Sequence, residues 1–253
     1  MKIYIYTIPK AGTYFLADFI ARLGFSNTGF HVSQKSFLDT AAFDLETNAR
    51  FPSKTKQKQL FYRTLTRMSD GELAFGHFPV PLMSWMFPDF YFVCAYRHPR
   101  RTLVSEFIDF RFRRADIAWI SRDSIADDRQ AFCAYLLRHG QAHMTIFSQM
   151  LGVTMLLNEP LCRRFQHERM HLLNFDRFLQ GPEGALALAE ALGVDPALAP
   201  EALEATRAAE TKTKATDLKV DRTALWNDEA EDIYARLDAE AFVQRGRELG
   251  WDI

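Results

Sequence analysis

The stretch KIYIYTIPKAGTYFLADFIARLG, residues 2 to 24, constrains the fold of this chain more than any other. Residues 2–8 are a β-branched and aromatic run closed by Pro9, which reads as a strand. After Gly12, the residues Phe15, Leu16, Phe19, Ile20 and Leu23 recur at helical spacing until Gly24 stops them. Strand, short glycine turn and helix make the first half of a βαβ unit. Such a turn also has a chemistry. A helix N-terminus presents unpaired amides and the positive end of a dipole, so a glycine turn entering it suits an anion.

The rest of the chain repeats the alternation. ELAFGHF (72–78), YFVCAYR (91–97) and MHLLNFD (170–176) read as further strands. Pro99 falls near the first position of a helix that runs through RTLVSEFIDFRFRR. Residues 128–150 and GPEGALALAEALG are helical, and DEAEDIYARLDAEAFVQRGRELG reads as one amphipathic C-terminal helix. The expectation is an α/β doubly wound three-layer fold with a mostly parallel central sheet, a single domain over 1–253. The polar stretch 206–224 is expected to be a long loop within that domain, of the length that often serves as a lid.

Bulk properties exclude some functions. Lys plus Arg number 31 against 32 Asp plus Glu, without the basic excess of a general nucleic-acid binder. Three cysteines, Cys94, Cys133 and Cys162, have no Cys-x-x-Cys spacing, so the expectation is buried thiols in a reducing compartment. The N-terminus lacks the form of a signal peptide. The apolar region 132–157 is interrupted by Arg138, His139, Gln141 and His143, so no membrane span is expected and the protein is read as cytoplasmic. The 22 phenylalanines are core-filling residues first, with a minority available to line an apolar pocket.

The loop PKAGTYF offers Lys10, a glycine turn and the Thr13 hydroxyl. It lacks the G-x-x-x-x-G-K-[ST] arrangement that holds nucleoside triphosphate with magnesium: the lysine precedes the glycine and the metal-binding hydroxyl is absent. A second constellation, YRHPRRTLVSEF, places Arg97 at a strand end and Ser105 two turns up the following helix. A guanidinium fork there suits bidentate capture of a phosphate.

Together the two motifs resemble those of the sulfotransferases. PKAGTYF is similar to their P-K-[SA]-G-T-[TS]-[WYF] loop for the 5′-phosphosulfate. YRHPRRTLVSEF is similar to their R-[DN]-P-[RK]-[DE]-x-x-[VL]-S-x-[YF] motif for the 3′-phosphate. HLLNFDRFLQGPEGALALAEALG resembles a later segment of the same family. The resemblance implies a P-loop NTPase-like fold and an enzyme that transfers the sulfuryl group of 3′-phosphoadenosine 5′-phosphosulfate (PAPS) to a hydroxyl or amine. It implies no metal, and adenosine 3′,5′-bisphosphate as product. On this reading Lys10, Ala11, Gly12, Thr13 and Tyr14 hold the 5′-phosphate and Lys10 also neutralises the leaving phosphate. Phe15 stacks on adenine, and Arg97 and Ser105 grip the 3′-phosphate.

His77, in AFGHFP at a strand end, resembles the base of the family's [TS]-H-x-P element and is the candidate general base. His98 reads as a structural neighbour of Arg97, and His139 and His143, four apart, as core or surface residues. His31 could border the acceptor site, and Glu46 is the substitute base. The family's K-G-x-x-G-D-W-K cap has no clear match. Lys214, ahead of Lys212, Lys219 and Arg222, is the candidate for that role. RFRR (111–114) could recognise an acidic acceptor, whereas the phenylalanines favour an apolar one. The acceptor, whether small molecule, saccharide or peptide, is unread, as is oligomeric state. A P-loop kinase or nucleotide hydrolase, or a silent nucleotide-binding protein on the same fold, stands as the alternative.

Overall fold

The structure is a computed structural model that describes residues 1–32, 37–39, 47, 50–51, 57–59, 65–77, 86–158, 169–209 and 220–253. Lys212, Lys214, Lys219, Glu46, Cys162 and His167 lie outside the described residues.

Seven strands form one sheet: β1 (Lys2–Thr7), β2 (Ser26–Val32), β3 (Phe37–Asp39), β4 (Gln57–Gln59), β5 (Glu72–Gly76), β6 (Phe90–Tyr96) and β7 (Met170–Asn174). Their order is β4-β3-β2-β5-β1-β6-β7. β2, β5, β1, β6 and β7 run parallel, and β3 and β4 add an antiparallel edge. The sheet is therefore mostly parallel, as the alternation of strands and helices requires.

A parallel sheet is covered on both faces, and the alternation along its strands shows this. Ile3 and Ile5 of β1 enter one core while Tyr4 and Tyr6 enter the other, all four fully buried. The first core packs against α1 (Thr13–Arg22) through Leu16, Phe19 and Ile20. It also takes in the helices after β7 that contain Leu188 and Leu203. The second core packs against α2 (Pro99–Ile108) and α3 (Asp128–Asn158) through Leu103, Phe107, Phe132 and Phe147. Three layers result, α/β/α.

Several elements differ from the sequence expectation, among them the edge strands β3 and β4, the helices Phe175–Gln180 and Ala199–Ala208, and the following three. β2 was not anticipated: Ser26, Asn27 and Gly29 are poor strand formers, and the register shifts between Asn27 and His31. α3 runs to Asn158 rather than ending near 150. The C-terminal helix is two helices, Asp228–Arg236 and Ala239–Glu248, because Asp238 takes a left-handed φ of 55° and turns the chain. That turn brings Trp251 back to stack on Tyr96 at 4.2 Å. No helix among the described residues is long and apolar enough to cross a membrane.

Parallel strands carry their following segments to one edge of the sheet. β1 runs into the PKAGTYF loop, β5 into His77, β6 into Arg97, and β7 into α4 (Phe175–Gln180), which opens with Asp176. Ligands of open α/β sheets bind at this carboxyl edge.

Candidate active site

The loop after β1 is shaped by two left-handed residues, Lys10 (φ 67°) and Gly12 (φ 84°). A lysine rarely adopts that conformation, and strain of this kind gathers at functional sites. Gly12 is required twice over: besides its φ, a Cβ there would lie 2.1 Å from the Phe175 ring. Phe175 thus forms the floor of the turn, with the Arg97 guanidinium 5.8 Å from its ring centroid. No side chain caps α1. Ala11 N–H turns back to Ile8 O at 3.0 Å.

The two motifs meet physically. Arg97 Nη1 approaches Lys10 O at 3.4 Å, joining residues 87 apart in sequence. Arg97 Nε donates to Asp176 Oδ1 at 2.9 Å. His98 caps α2, its Nδ1 accepting from Arg100 N–H at 3.2 Å, which agrees with a structural role.

His77 is positioned by close packing. A Cβ on Gly76 would stand 2.0 Å from Val32 O, so only glycine lets β5 approach β2 here. His77 N–H then donates to that same oxygen at 2.9 Å. The His77 Nδ1–H donates to Thr7 O at 2.8 Å, which fixes the tautomer and leaves Nε2 with its lone pair. Burial lowers the His77 pKa below the ordinary histidine value, with the Thr7 carbonyl opposing in part. The ring is therefore neutral at pH 7.

Thr7 links base and loop. Its Oγ1 lies 2.5 Å from Thr13 Oγ1 and 3.3 Å from His77 Nδ1. The Thr13 hydroxyl thus already meets Thr7 inside the protein. Tyr14 OH lies 3.2 Å from His31 Nδ1, and the His31 and His77 rings meet edge to face at 5.1 Å. His31 accordingly borders the site. Phe15 is half-buried and packs edge-on against Phe175 and Phe178 at 5.7 and 6.2 Å.

Charges gather on the other side of Lys10. Its Nζ lies 3.3 Å from Asp109 Oδ1, and Arg113 Nη1 donates to the same oxygen at 3.0 Å. Burial is the main influence on the Lys10 pKa and lowers it, Asp109 opposing and Arg113 adding. Arg113 Nη2 is a buried donor without a hydrogen-bond acceptor among the described residues, and buried Lys10 Nζ has only the Asp109 carboxylate beside it. Buried donors of this kind fit an anionic ligand. Ser105 is half-buried and makes no side-chain hydrogen bond among the described residues. It stands one turn before Asp109, whose N–H bonds Ser105 O, and so on the helix face that looks toward Lys10.

Behind this face Glu106 is enclosed. Tyr135 OH donates to its Oε2 at 2.5 Å and His143 Nδ1 at 2.9 Å. Burial alone would raise the carboxyl's pKa, but His143, Tyr135 and the Lys10 charge outweigh it and hold it at about 2. His143 is thus a core residue, its Nε2 2.8 Å from Thr102 Oγ1. His139 stacks between Trp119 and Tyr135.

The RFRR run divides. Arg111 is buried and spent on Asp128 and the carbonyls of Ile120 and Ile125. Arg114 binds Asp116 and lies over Phe110. Arg113 alone faces Lys10. Sequence reasoning missed Asp109, Glu106 and Asp176, and named Arg113 only as part of the RFRR run. Of the three missed, only Asp109, four residues after Ser105, had a local cue, its helical spacing.

No family model matches the sequence, and no curated protein matches it. Among solved structures the chain resembles mouse sulfotransferase SULT7A1 complexed with PAP. The TM-score is 0.59 at 14% identity, over 98% of this chain and 87% of that one. The fold is that of a sulfotransferase.

Proposed function

We propose that this chain is a sulfotransferase that moves the sulfuryl group of PAPS to a hydroxyl or amine of an acceptor, without a metal. The observation that carries the reading is the junction of the two motifs, Arg97 against the Lys10 carbonyl beneath one glycine turn. The mouse protein with the same fold is complexed with PAP, which is the bisphosphate such a reaction releases.

PAPS supplies a sulfuryl group already activated by its bond to the 5′-phosphate. The protein's residues then have separate tasks. Backbone amides of Gly12, Thr13 and Tyr14 face the 5′-phosphate, and Lys10 neutralises the charge that grows on it as the sulfur–oxygen bond breaks. Arg97 and Ser105 hold the 3′-phosphate, and the exposed part of Phe15 meets the adenine. His77 Nε2 takes the acceptor's proton while the acceptor oxygen or nitrogen bonds to sulfur. Lys214 is the candidate cap over the nucleotide.

The test is release of adenosine 3′,5′-bisphosphate from PAPS, measured in EDTA with panels of phenolic, saccharide and peptide acceptors. Acceptor-stimulated release should fall by about 10²–10⁴-fold in His77→Ala with bisphosphate affinity unchanged. A variant as active as the parent contradicts the base assignment. A parent protein that turns over ATP with Mg²⁺ but not PAPS contradicts the reading.

A further inference from the structure

The run RHPRR holds three arginines, and the structure separates them. Arg100 is spent: both its Nη atoms bind Glu231, at 2.7 and 2.6 Å, and its guanidinium stacks over Trp226 and Tyr234. Arg97 and Arg101 instead converge on one atom. Arg97 Nε and Arg101 Nη1 each lie 2.9 Å from Asp176 Oδ1. Asp176 is held firmly in the first turn of α4, where the Asn174 side chain accepts its N–H at 2.9 Å. Arg177, the next residue, is paired away with Asp252.

We propose that Arg101 is a second arginine of the 3′-phosphate subsite, held beside Arg97 by Asp176; this rests on the sulfuryl-transfer reading above. Arg97 meets Asp176 through Nε and the Lys10 carbonyl through Nη1, so its Nη2 remains to be offered to a ligand beside Arg101. Arg101 is 60% exposed, which leaves its outer edge open, whereas Arg97 is 15% exposed. The charges also favour an anion: two guanidiniums share one carboxylate, which leaves a surplus of one positive charge. The sulfotransferase pattern quoted above carries an acid at the position of Arg101, so this chain has reversed the sign there. The carboxylate that orients the pair comes instead from Asp176, on another element.

The experiment compares adenosine 3′,5′-bisphosphate with adenosine 5′-monophosphate by calorimetry, in the parent, Arg101→Ala and Arg101→Lys proteins. Arg101→Ala should weaken the bisphosphate roughly tenfold to a hundredfold and leave the monophosphate unchanged. Arg101→Lys, which keeps the charge but loses the fork, should fall between. If Arg101 only ties Asp176 in place, both nucleotides lose equally or neither does, and the proposal is overturned. A parent protein that fails to prefer the bisphosphate overturns the sulfuryl-transfer reading itself, a result distinct from an inert Arg101. Arg101 being exposed, its variants should melt within a few degrees of the parent.

Discussion

Two carboxylates flank the glycine turn after β1, and each gathers two cations on a single oxygen. Asp109 holds Lys10 and Arg113, and Asp176 holds Arg97 and Arg101. The first cation of each group is similarly enclosed, Lys10 at 11% and Arg97 at 15% exposure. The second cations differ: Arg113 is 12% exposed and Arg101 60%. The inner group is therefore locked, because every charge in it depends on the others for compensation. The outer group can take a ligand anion beside Asp176 at little cost, since the outer edge of Arg101 is open to water. The proposed division of the site, chemistry at one end and nucleotide capture at the other, needs this asymmetry.

The largest effect expected from breaking the inner group is on turnover. Lys10→Met should lower kcat by about 10²–10³-fold, the worth of one preorganised charge at a developing anion. Bisphosphate affinity should change far less, and calorimetry beside steady-state kinetics reads both. Equal losses in binding and turnover would move Lys10 from the leaving group to simple nucleotide capture.

The comparison of the two carboxylates is sharpened by removing each. Asp109→Asn strands two buried cations and should cost roughly 3 kcal/mol of stability by urea unfolding. Asp176→Asn leaves Arg101 free to reach water and should cost about 1 kcal/mol less. The reverse order would show that the inner pair is not the tighter one.

A smaller effect comes from Glu106, which braces the inner group. Its folded pKa is depressed to about 2 from an ordinary 4.5, so its contribution is complete above pH 4.5 and is lost as pH falls toward 2. Melting temperature should drop across that window, and Glu106→Gln should flatten the drop. An unchanged slope in the variant would remove Glu106 from this role.

Much of the site was legible in the sequence because its parts are local. Lys10, Gly12, His77 and Arg97 each lie just beyond a strand whose apolar run announces it, and a parallel sheet brings such positions to one edge. The counter-ions were not legible. Asp176 meets Arg97 across 79 residues, and Asp109 meets Lys10 across the sheet edge, contacts that no periodicity encodes. RFRR looked like one basic patch, yet folding sends Arg111 into the core, Arg114 to Asp116 and Arg113 to the site. β2 escaped notice because SNTG is turn-like in composition, and tertiary pairing with β5 overrides it. The break at Asp238 escaped for the opposite reason, since the amphipathic pattern continues across a residue that the backbone places outside the helix.

The most direct test of the central claim is thermal melting in EDTA with adenosine 3′,5′-bisphosphate, in parallel with ADP. At 100 times its dissociation constant the bisphosphate should add about 2.7 kcal/mol and raise the melting temperature without metal, while ADP at the same concentration shifts it less. No shift with the bisphosphate, or a shift only with ADP and Mg²⁺, would contradict the account.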